Sequence, residues 1–265
     1  MLLPRPLLAF LLFSSILSRA QRAPVAPLPS DPLELATGSA MLLNNPENRA
    51  LVLGLLERAR QSMSELYAQG GPPFTLHISF TASGQSRYTG PGEMEETRYS
   101  RELWRWSARL GDYSQRRIFH DGYAYDDKTP GPIPLRIQMV RGAVLWSMFR
   151  VRPGAAMRMA SAKWNGMDVM CALLSNSERP PFTPGRQWEE EEYCVDTKEA
   201  LLRIYSEAPG IYVTYDYNDA LQFHGRVLAR QISVVEGGAQ VLQIRVDSIQ
   251  DPGPPDPSSF TPTKK

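Results

Sequence analysis

RELWRWSARLGDYSQRRIFHDGYAYDD, residues Arg101 to Asp127, decides the fold. In its first half Trp104, Trp106, Ala108 and Leu110 alternate with Arg105, Ser107 and Arg109. A period of two, with one apolar and one wet side, is the mark of a half-buried strand in an antiparallel sheet. Further on, Asp121-Gly122 is a two-residue hairpin signal between a strand ending near His120 and a short aromatic strand. The tryptophans, the histidine and the acids of this passage are therefore sheet positions first. Any chemistry has to be laid on top of that sheet.

The same period extends outward. In FTLHISFTASG, Phe74, Leu76, Ile78 and Phe80 form one face and Thr75, His77, Ser79 and Thr81 the other. GEMEETRYS alternates less cleanly. Downstream, Asn165-Gly166 is a hairpin signal between two strands, and WEEEEYCVDTKEALLRIYSE reads as strand, turn at Asp196-Thr197-Lys198, strand. GIYVTYDYND, LQFHGRVLARQISVVEGG and AQVLQIRVDSIQD complete a meander, with its last tight turn at Gly237-Gly238.

Two segments carry the helical period instead. After Asn45 as cap and Pro46 in the first turn, Leu51, Val52, Leu55, Leu56, Ala59, Met63, Leu66 and Tyr67 form one stripe that Gly70-Gly71 ends. A second helix is predicted in IPLRIQMVRGAVLWSMF, with Leu135, Met139, Ala143 and Trp146 on its apolar side. The expected fold class is thus α+β: a large curved antiparallel sheet with a long N-terminal helix and a second helix.

MLLPRPLLAFLLFSSILSRA, residues 1–20, has a basic position, a short apolar run and small residues at Ser18 and Ala20. It reads as a secretory signal peptide, too short to span a bilayer, which takes about 20 apolar residues. A Pro/Ala-rich linker follows over 21–40, then one domain over 41–251, then a Pro-rich tail over 252–265 in which Phe260 is the residue able to dock. No later transmembrane span is expected. Of 29 Lys and Arg, Arg5 and Arg19 leave with the signal; 27 then face 28 acids, a net charge of −1. A near-neutral chain without a basic stripe excludes nucleic acid as partner. The expected location is the periplasm or outside the cell, in or near a bacterial envelope. There an even pair of cysteines, Cys171 and Cys194, favours a disulfide.

Chemistry is sparse. His77, His120 and His224 are the whole histidine pool, with no metal-ligand spacing among them. TASGQS lacks the turn of a serine nucleophile, and GPGEME precedes a strand rather than a helix, so it is no phosphate loop. A hydrolytic site around His120 and Asp121 has no support in spacing. Glu189 to Glu192 reads as a charged, solvated edge strand, with a Ca²⁺ cage as the rival. The chain is therefore read as non-enzymatic, with no cofactor and no metal. The stronger signal is aromatic. A curled sheet that does not close leaves a concave apolar face, and either a ligand or the two helices must fill it.

Trp104-Arg105-Trp106 and Ile118-Phe119-His120-Asp121-Gly122-Tyr123-Ala124-Tyr125, after a long helix and a strand, resemble the periplasmic carrier of outer-membrane lipoproteins and its relatives. The rhythm of YDYND and FHGRVLARQISVVEGGAQVLQIRVDSI resembles that family's terminal strands, for a coverage of about Pro46 to Asp251. SFTASGQSRYTGPGEMEE with WRWSARLGDYSQ is also similar to exported bacterial proteins of unassigned function, some of which carry a periplasmic energy-transducer module, which is not expected here. The region Gln187 to Ser206, with Cys194, has no counterpart in the simple carrier. The resemblance implies a half-open barrel holding a lipid or acyl chain, lined here by Ile78, Phe80, Trp104, Trp106, Ile118 and Trp146. The alternative is a structural or protein-interaction module of the envelope, with a filled core and an envelope protein as partner.

Overall fold

The structure is a computed structural model. It describes residues 41–42, 44–63, 66, 71–145, 151, 154–175, 186 and 189–261. The signal and linker segments, Trp146 and the last four residues lie outside the described residues.

Helix α1 spans Pro46–Met63. Its cap is as the sequence predicts: the Asn45 side-chain oxygen accepts from the backbone N–H of Glu47 at 2.8 Å and of Asn48 at 3.3 Å. Its buried side is narrower than the sequence stripe. Val52, Leu56 and Ala59 are buried, one helical turn apart, whereas Leu51 is 73% exposed. Helix α2, Leu135–Leu145, buries Ala143 and packs Met139 on the core as expected, but its first turn is rotated outward. Ile137, Val140 and Val144 are buried, and Leu135 is 58% exposed. Both helices are apolar over more than half a turn, so their pattern alone leaves the rotation open by about one residue, or 100°.

Among the described residues fifteen strands surround them. They are β1 (Met41–Leu42), β2 (Phe74–Ala82), β3 (Gly90–Arg98), β4 (Trp104–Leu110), β5 (Tyr113–His120), β6 (Tyr123–Lys128), β7 (Ala156–Trp164), β8 (Met167–Ser175), β9 (Glu190–Asp196), β10 (Leu202–Ala208), β11 (Ile211–Asp216), β12 (Leu221–Phe223), β13 (Arg226–Leu228), β14 (Gln231–Glu236) and β15 (Ala239–Gln250). All but the β12–β13 hairpin belong to one open antiparallel sheet, in the order β1-β7-β8-β9-β10-β11-β14-β15-β2-β3-β4-β5-β6. This is the α+β class expected, a long curved sheet that does not close into a barrel.

The order contains one long seam. A five-strand meander, β2 to β6, and a longer one ending in β15 are joined because β15 pairs with β2, Leu242 opposite Ala82 through to Gln250 opposite Thr75. The turns are those the sequence signals. Asp121-Gly122, Asn165-Gly166 and Gly237-Gly238 all have positive φ at both central residues, the backbone that follows the twist of a two-residue hairpin.

One face of the sheet lies under α1 and α2. Phe74, Leu76, Ile78 and Phe80 of β2, Leu242, Ile244 and Val246 of β15, and Tyr193, Val195 and Leu202 of β9 and β10 share a single apolar core with Val52, Leu56, Ile137 and Val140 of the helices. On this face Phe80 is paired with Gly92, and its ring lies over that residue: a Cβ there would come within 2.4 Å of Phe80 Cζ and 2.7 Å of the Arg109 carbonyl oxygen. The glycine at 92 is thus a contact requirement.

The opposite face has two regimes. Over β2–β5 it is polar, and the C-terminal strap crosses it. The strap ends in a 3-10 turn, Pro257–Phe260, capped by Asp256, whose carboxylate accepts from the Ser258 N–H. Phe260 is buried, edge-on to Tyr99, with ring centroids 5.8 Å apart. Over β7–β10 this face is a second, small apolar cluster that includes Trp164, Leu173, Ile204 and the bonded pair Cys171–Cys194, which sit opposite each other on β8 and β9.

The acidic run is corrected here. β9 lies between β8 and β10, inside the sheet, and Glu190 and Glu192 are 1% and 0% exposed. Arg158 grips Glu190 with two hydrogen bonds of 2.9 and 2.5 Å, and Arg186 reaches Glu192 at 3.3 Å. Buried carboxylates are tolerable only with such partners. Arg158 stands 32 residues before Glu190, and Arg186 only six before Glu192; a reading confined to the four glutamates reveals neither.

Two stability outcomes are expected. Gly92→Ala should lower unfolding free energy by about 1–3 kcal/mol through overpacking against Phe80, visible as a lower urea midpoint at unchanged m-value; an unchanged midpoint would mean the ring moves freely. Replacing both Cys171 and Cys194 by Ala should cost about 3 kcal/mol from loop closure, measured the same way against the oxidised parent.

Candidate functional site

The wing β2–β5 carries the residues singled out in the sequence, and its register sorts them. On the helix-side face, four rows cross the strands. The first is Phe74, Arg98, Trp104 and Phe119; the second Leu76, Glu96, Trp106 and Arg117; the third Ile78, Met94, Ala108 and Gln115; the fourth Phe80, Gly92, Leu110 and Tyr113. Ile78, Phe80, Trp104 and Trp106 therefore stand on one face, as the sequence alternation predicts. Trp104 stacks on Phe119 with centroids 5.5 Å apart and planes 7° apart. Ile118 does not join them. It pairs with Arg105 and so points to the opposite face, where the C-terminal strap runs and where it is 1% exposed. Its neighbours at 117 and 119 take the positions on the helix-side face.

The second row is the unexpected one. Glu96 is fully buried, in the middle of an apolar face, with Trp106 beside it. Helix α2 supplies its counter-charge: Arg141 Nε is 3.4 Å from Glu96 Oε2, and the same guanidinium lies over the Trp106 ring, 5.2 Å from its centroid. Burial raises the Glu96 pKa, and Arg141 opposes that shift in part. Burial also lowers the pKa of Arg98 in the adjoining row, with Glu96 acting against the shift. The row continues to β6, where Asp126 pairs with Arg117 at 2.7 Å. For Asp126 the upward pull of burial is outweighed by hydrogen bonds from Arg117 and Gln115, so its carboxyl is held below its ordinary range.

Along this same face four buried side-chain atoms have no hydrogen-bond partner: Trp106 Nε1, Tyr113 Oη, Gln115 Oε1 and Arg117 Nε. Tyr113, Gln115 and Arg117 alternate along β5, and Trp106 faces Arg117 across the pair β4–β5. Burial raises the Tyr113 pKa, as does the nearby Asp126 charge, so the phenol is a protonated donor at neutral pH. The arrangement offers several donors and one amide acceptor in an otherwise apolar setting.

The opposite face of the wing is a shallow polar trough of about 570 Å³, lined by His77, Ser79, Glu93, Glu95, Arg109, Arg116 and Asp247 among others. Its charges pair within the sheet: Arg105 with Glu95 at 3.1 Å, and Arg109 with Glu93. His120 lies 3.5 Å from Asp121 at the β5–β6 turn, both side chains exposed, and His224 lies 2.7 Å from Asp251. The three histidines are thus dispersed. Among the described residues Cys171, Glu192 and Cys194 are close enough to hold a metal, but both sulfurs are in the disulfide and offer no thiolate.

No family model matches the chain, and no curated protein matches it. Solved structures do. A LolA superfamily protein from Nitrosomonas europaea is similar over 79% of this chain and 96% of its own, at 9% identity and a TM-score of 0.45. A candidate outer membrane lipoprotein-sorting protein domain from Vibrio parahaemolyticus covers 77% and is itself covered over 95%, at 11% identity and TM-score 0.43. A DUF1329 family protein from Desulfovibrio piger covers 88% and is covered over 98%, at 8% identity and TM-score 0.42. Each likeness is to the course of the chain, and the function has to be argued from the residues.

Glu96 and the β5 ladder were not found as a site from the sequence, and Trp106 was read as apolar lining, without its N–H. GEMEETRYS broke the alternation at this glutamate, and that break was the available signal. The raised Glu96 pKa has a definite sign. The unfolded chain loses this proton near the ordinary value of 4.5, before the folded one does, so stability falls as pH rises through that window. Relative to Glu96→Gln, the parent chain should lose stability as pH climbs above 4.5. Urea unfolding at a series of pH values checks this; parallel curves for the two proteins would sink it.

Proposed function

We propose that the chain is an exported, non-enzymatic envelope protein that holds a lipid or acyl chain against the helix-side face of its curved sheet. The observation that carries this reading is the mismatch between that face and its cover. Thirteen strands at about 4.8 Å spacing make a sheet roughly 60 Å across. Helix α1 lies over β9, β10 and β13 and α2 over β15, each about 10–12 Å wide, and the Arg141 side chain of α2 reaches on to Glu96 of β3 and Trp106 of β4. Past the reach of Arg141 the face ends in the stacked pair Trp104 and Phe119, both half-buried. Contact with an acyl chain would remove the apolar surface that Trp104 and Phe119 still expose from water, at roughly 25 cal/mol per Å². Ile78, Phe80, Trp104 and Trp106 are the proposed lining, with Trp146 as a sequence-based addition.

Export draws its support from residues 1–20 and from the disulfide, which belongs to an oxidising compartment. Among the described residues no helix is long and apolar enough to cross a membrane.

A second reading, an interaction module with a filled core, is favoured by one feature. The edge strand β6 is exposed throughout, and Tyr123 is 68% and Tyr125 41% exposed. Such an edge is available to another strand.

Native mass spectrometry separates the two. The full chain, expressed with its own leader in a bacterium and purified without detergent, is expected to carry an additional mass that organic extraction identifies as lipid. A bare protein mass, with no uptake when phospholipid vesicles are offered, would overturn the lipid reading in favour of the interaction module.

A further inference from the structure

The outer face of the sheet, away from both helices, carries a second trough that the lipid reading leaves unused. It holds about 560 Å³ and lies over β10, β11, β14 and β15, beside the β7–β8 turn. Small-molecule sites run from roughly 300 to 1,000 Å³. Alternation places its side chains. Val213 and Tyr215, Ile232 and Val234, and Leu242 and Ile244 turn into the core under the helices. Thr214 and Asp216, Gln231 and Ser233, and Gln243 therefore turn the other way, into the trough.

Register turns these positions into a grid. Asp216 is paired with Gln231, and Thr214, Ser233 and Gln243 form the next row. Asp216 is exposed and only accepts. Its Oδ1 takes the Asn218 backbone N–H at 2.9 Å and its Oδ2 the Asn218 side-chain amide at 3.3 Å. A carboxylate has about four lone-pair positions, so each oxygen keeps one for a further donor. The amides are oriented by a chain of bonds. Gln243 Oε1 accepts from Gln240 Nε2 and, at 3.1 Å, from Ser233 Oγ, and Gln243 Nε2 donates to Gln231 Oε1 at 3.4 Å. The chain ends at Gln231, which keeps its amide N–H groups to give, one strand away from the Asp216 carboxylate.

Charge narrows the ligand. The lining holds one cation, Arg203, against two acids, Glu199 and Asp216. Arg203 is already taken up by Asp196 at 2.9 Å and Glu199 at 3.4 Å, and it lies over the Tyr217 ring, 4.8 Å from the centroid. An anion is therefore repelled. An ammonium group, which only donates, leaves the Gln231 N–H groups unmet. A hydroxyl both donates and accepts, so hydroxyls serve a carboxylate and an amide standing side by side. Trp164 and the half-buried Tyr217 add aromatic surface to the same trough, suited to the C–H-bearing face of a ring. We propose that this trough binds a neutral saccharide, with adjacent hydroxyl groups held between Asp216 and Gln231. The site is independent of the lipid reading, because it uses the opposite face of the sheet. Free oligosaccharides and polymeric glycans offer the same chemistry.

The test titrates maltose, lactose and N,N′-diacetylchitobiose into the full chain by calorimetry, with digalacturonic acid as the charged control. Co-sedimentation with insoluble chitin and with amylose resin reads the polymeric source. The variants are Asp216→Asn, which keeps size and one acceptor, and Gln231→Ala. Both positions are exposed, so their urea midpoints should stay at the parent's. The parent is expected to bind at least one neutral disaccharide in the millimolar range, or to sediment with one polymer, and to ignore the acid. Each variant should weaken that binding by on the order of tenfold, the worth of one hydrogen bond to a charged or oriented group. Three results would overturn the site and assign the trough to ordinary hydrated surface. They are no binding of any neutral probe or polymer, equal binding of digalacturonic acid, and an affinity within about threefold of the parent in either variant.

Discussion

Strict alternation of side chains along registered strands is the constraint on which the rest of this molecule depends. Once Phe74 faces the helices, so must Leu76, Ile78 and Phe80, and pairing passes the same choice on to β3, β4, β5 and β15. The apolar core, the polar trough behind it and the seat of the C-terminal strap all follow from that one assignment. So do its exceptions. Glu96 cannot turn to water without moving Met94 and the whole of β3 with it, so α2 brings Arg141 to the carboxylate instead.

The two ends of the sheet treat buried polarity differently. At the β9 end each buried acid is matched: Glu190 by Arg158, Glu192 by Arg186, and Asp196 by Arg203 at 2.9 Å. Arg203 also stacks on Tyr217, 4.8 Å from its centroid. Ion pairs of this kind hold a unique register more than they add free energy, because desolvation cancels much of the Coulomb gain. At the β4–β5 end the charges are matched too, but four hydrogen-bonding atoms are left over. The contrast is one of degree, since Arg203 Nε at the β9 end is also left over.

Much of the fold was legible because the decisive signals are local. LWRWSARL and FTLHISF show their two faces by spacing alone, and Asp121-Gly122, Asn165-Gly166 and Gly237-Gly238 mark their turns by backbone chemistry. What was not legible is set by partners far away in sequence. The rotation of α1 and α2, which leaves Leu51 and Leu135 in water, depends on the surface each helix meets. The glutamates of β9 read as a wet edge because neither the flanking strand β8 nor Arg158, 32 residues before Glu190, shows in the run itself. Ile118 went to the wrong group by hydrophobicity; its register opposite Arg105 places it on the other face. Of the candidate site, the aromatic lining could be read from alternation, while Glu96 and the ladder of β5 required knowledge of what stands above them.

The seam between β2 and β15 has a consequence in time rather than in space. β2 is finished by residue 82, yet its partner begins at residue 239 and pairs as far as Gln250. A chain made from its N-terminus therefore holds an orphan strand edge, backed by Phe74, Leu76, Ile78 and Phe80, until nearly all of it exists. Long-range pairing of this sort slows folding and lengthens the exposure of sticky edges. The interval before β15 arrives is when this protein is most open to pairing with the wrong strand, and it is the natural moment for a chaperone to hold it.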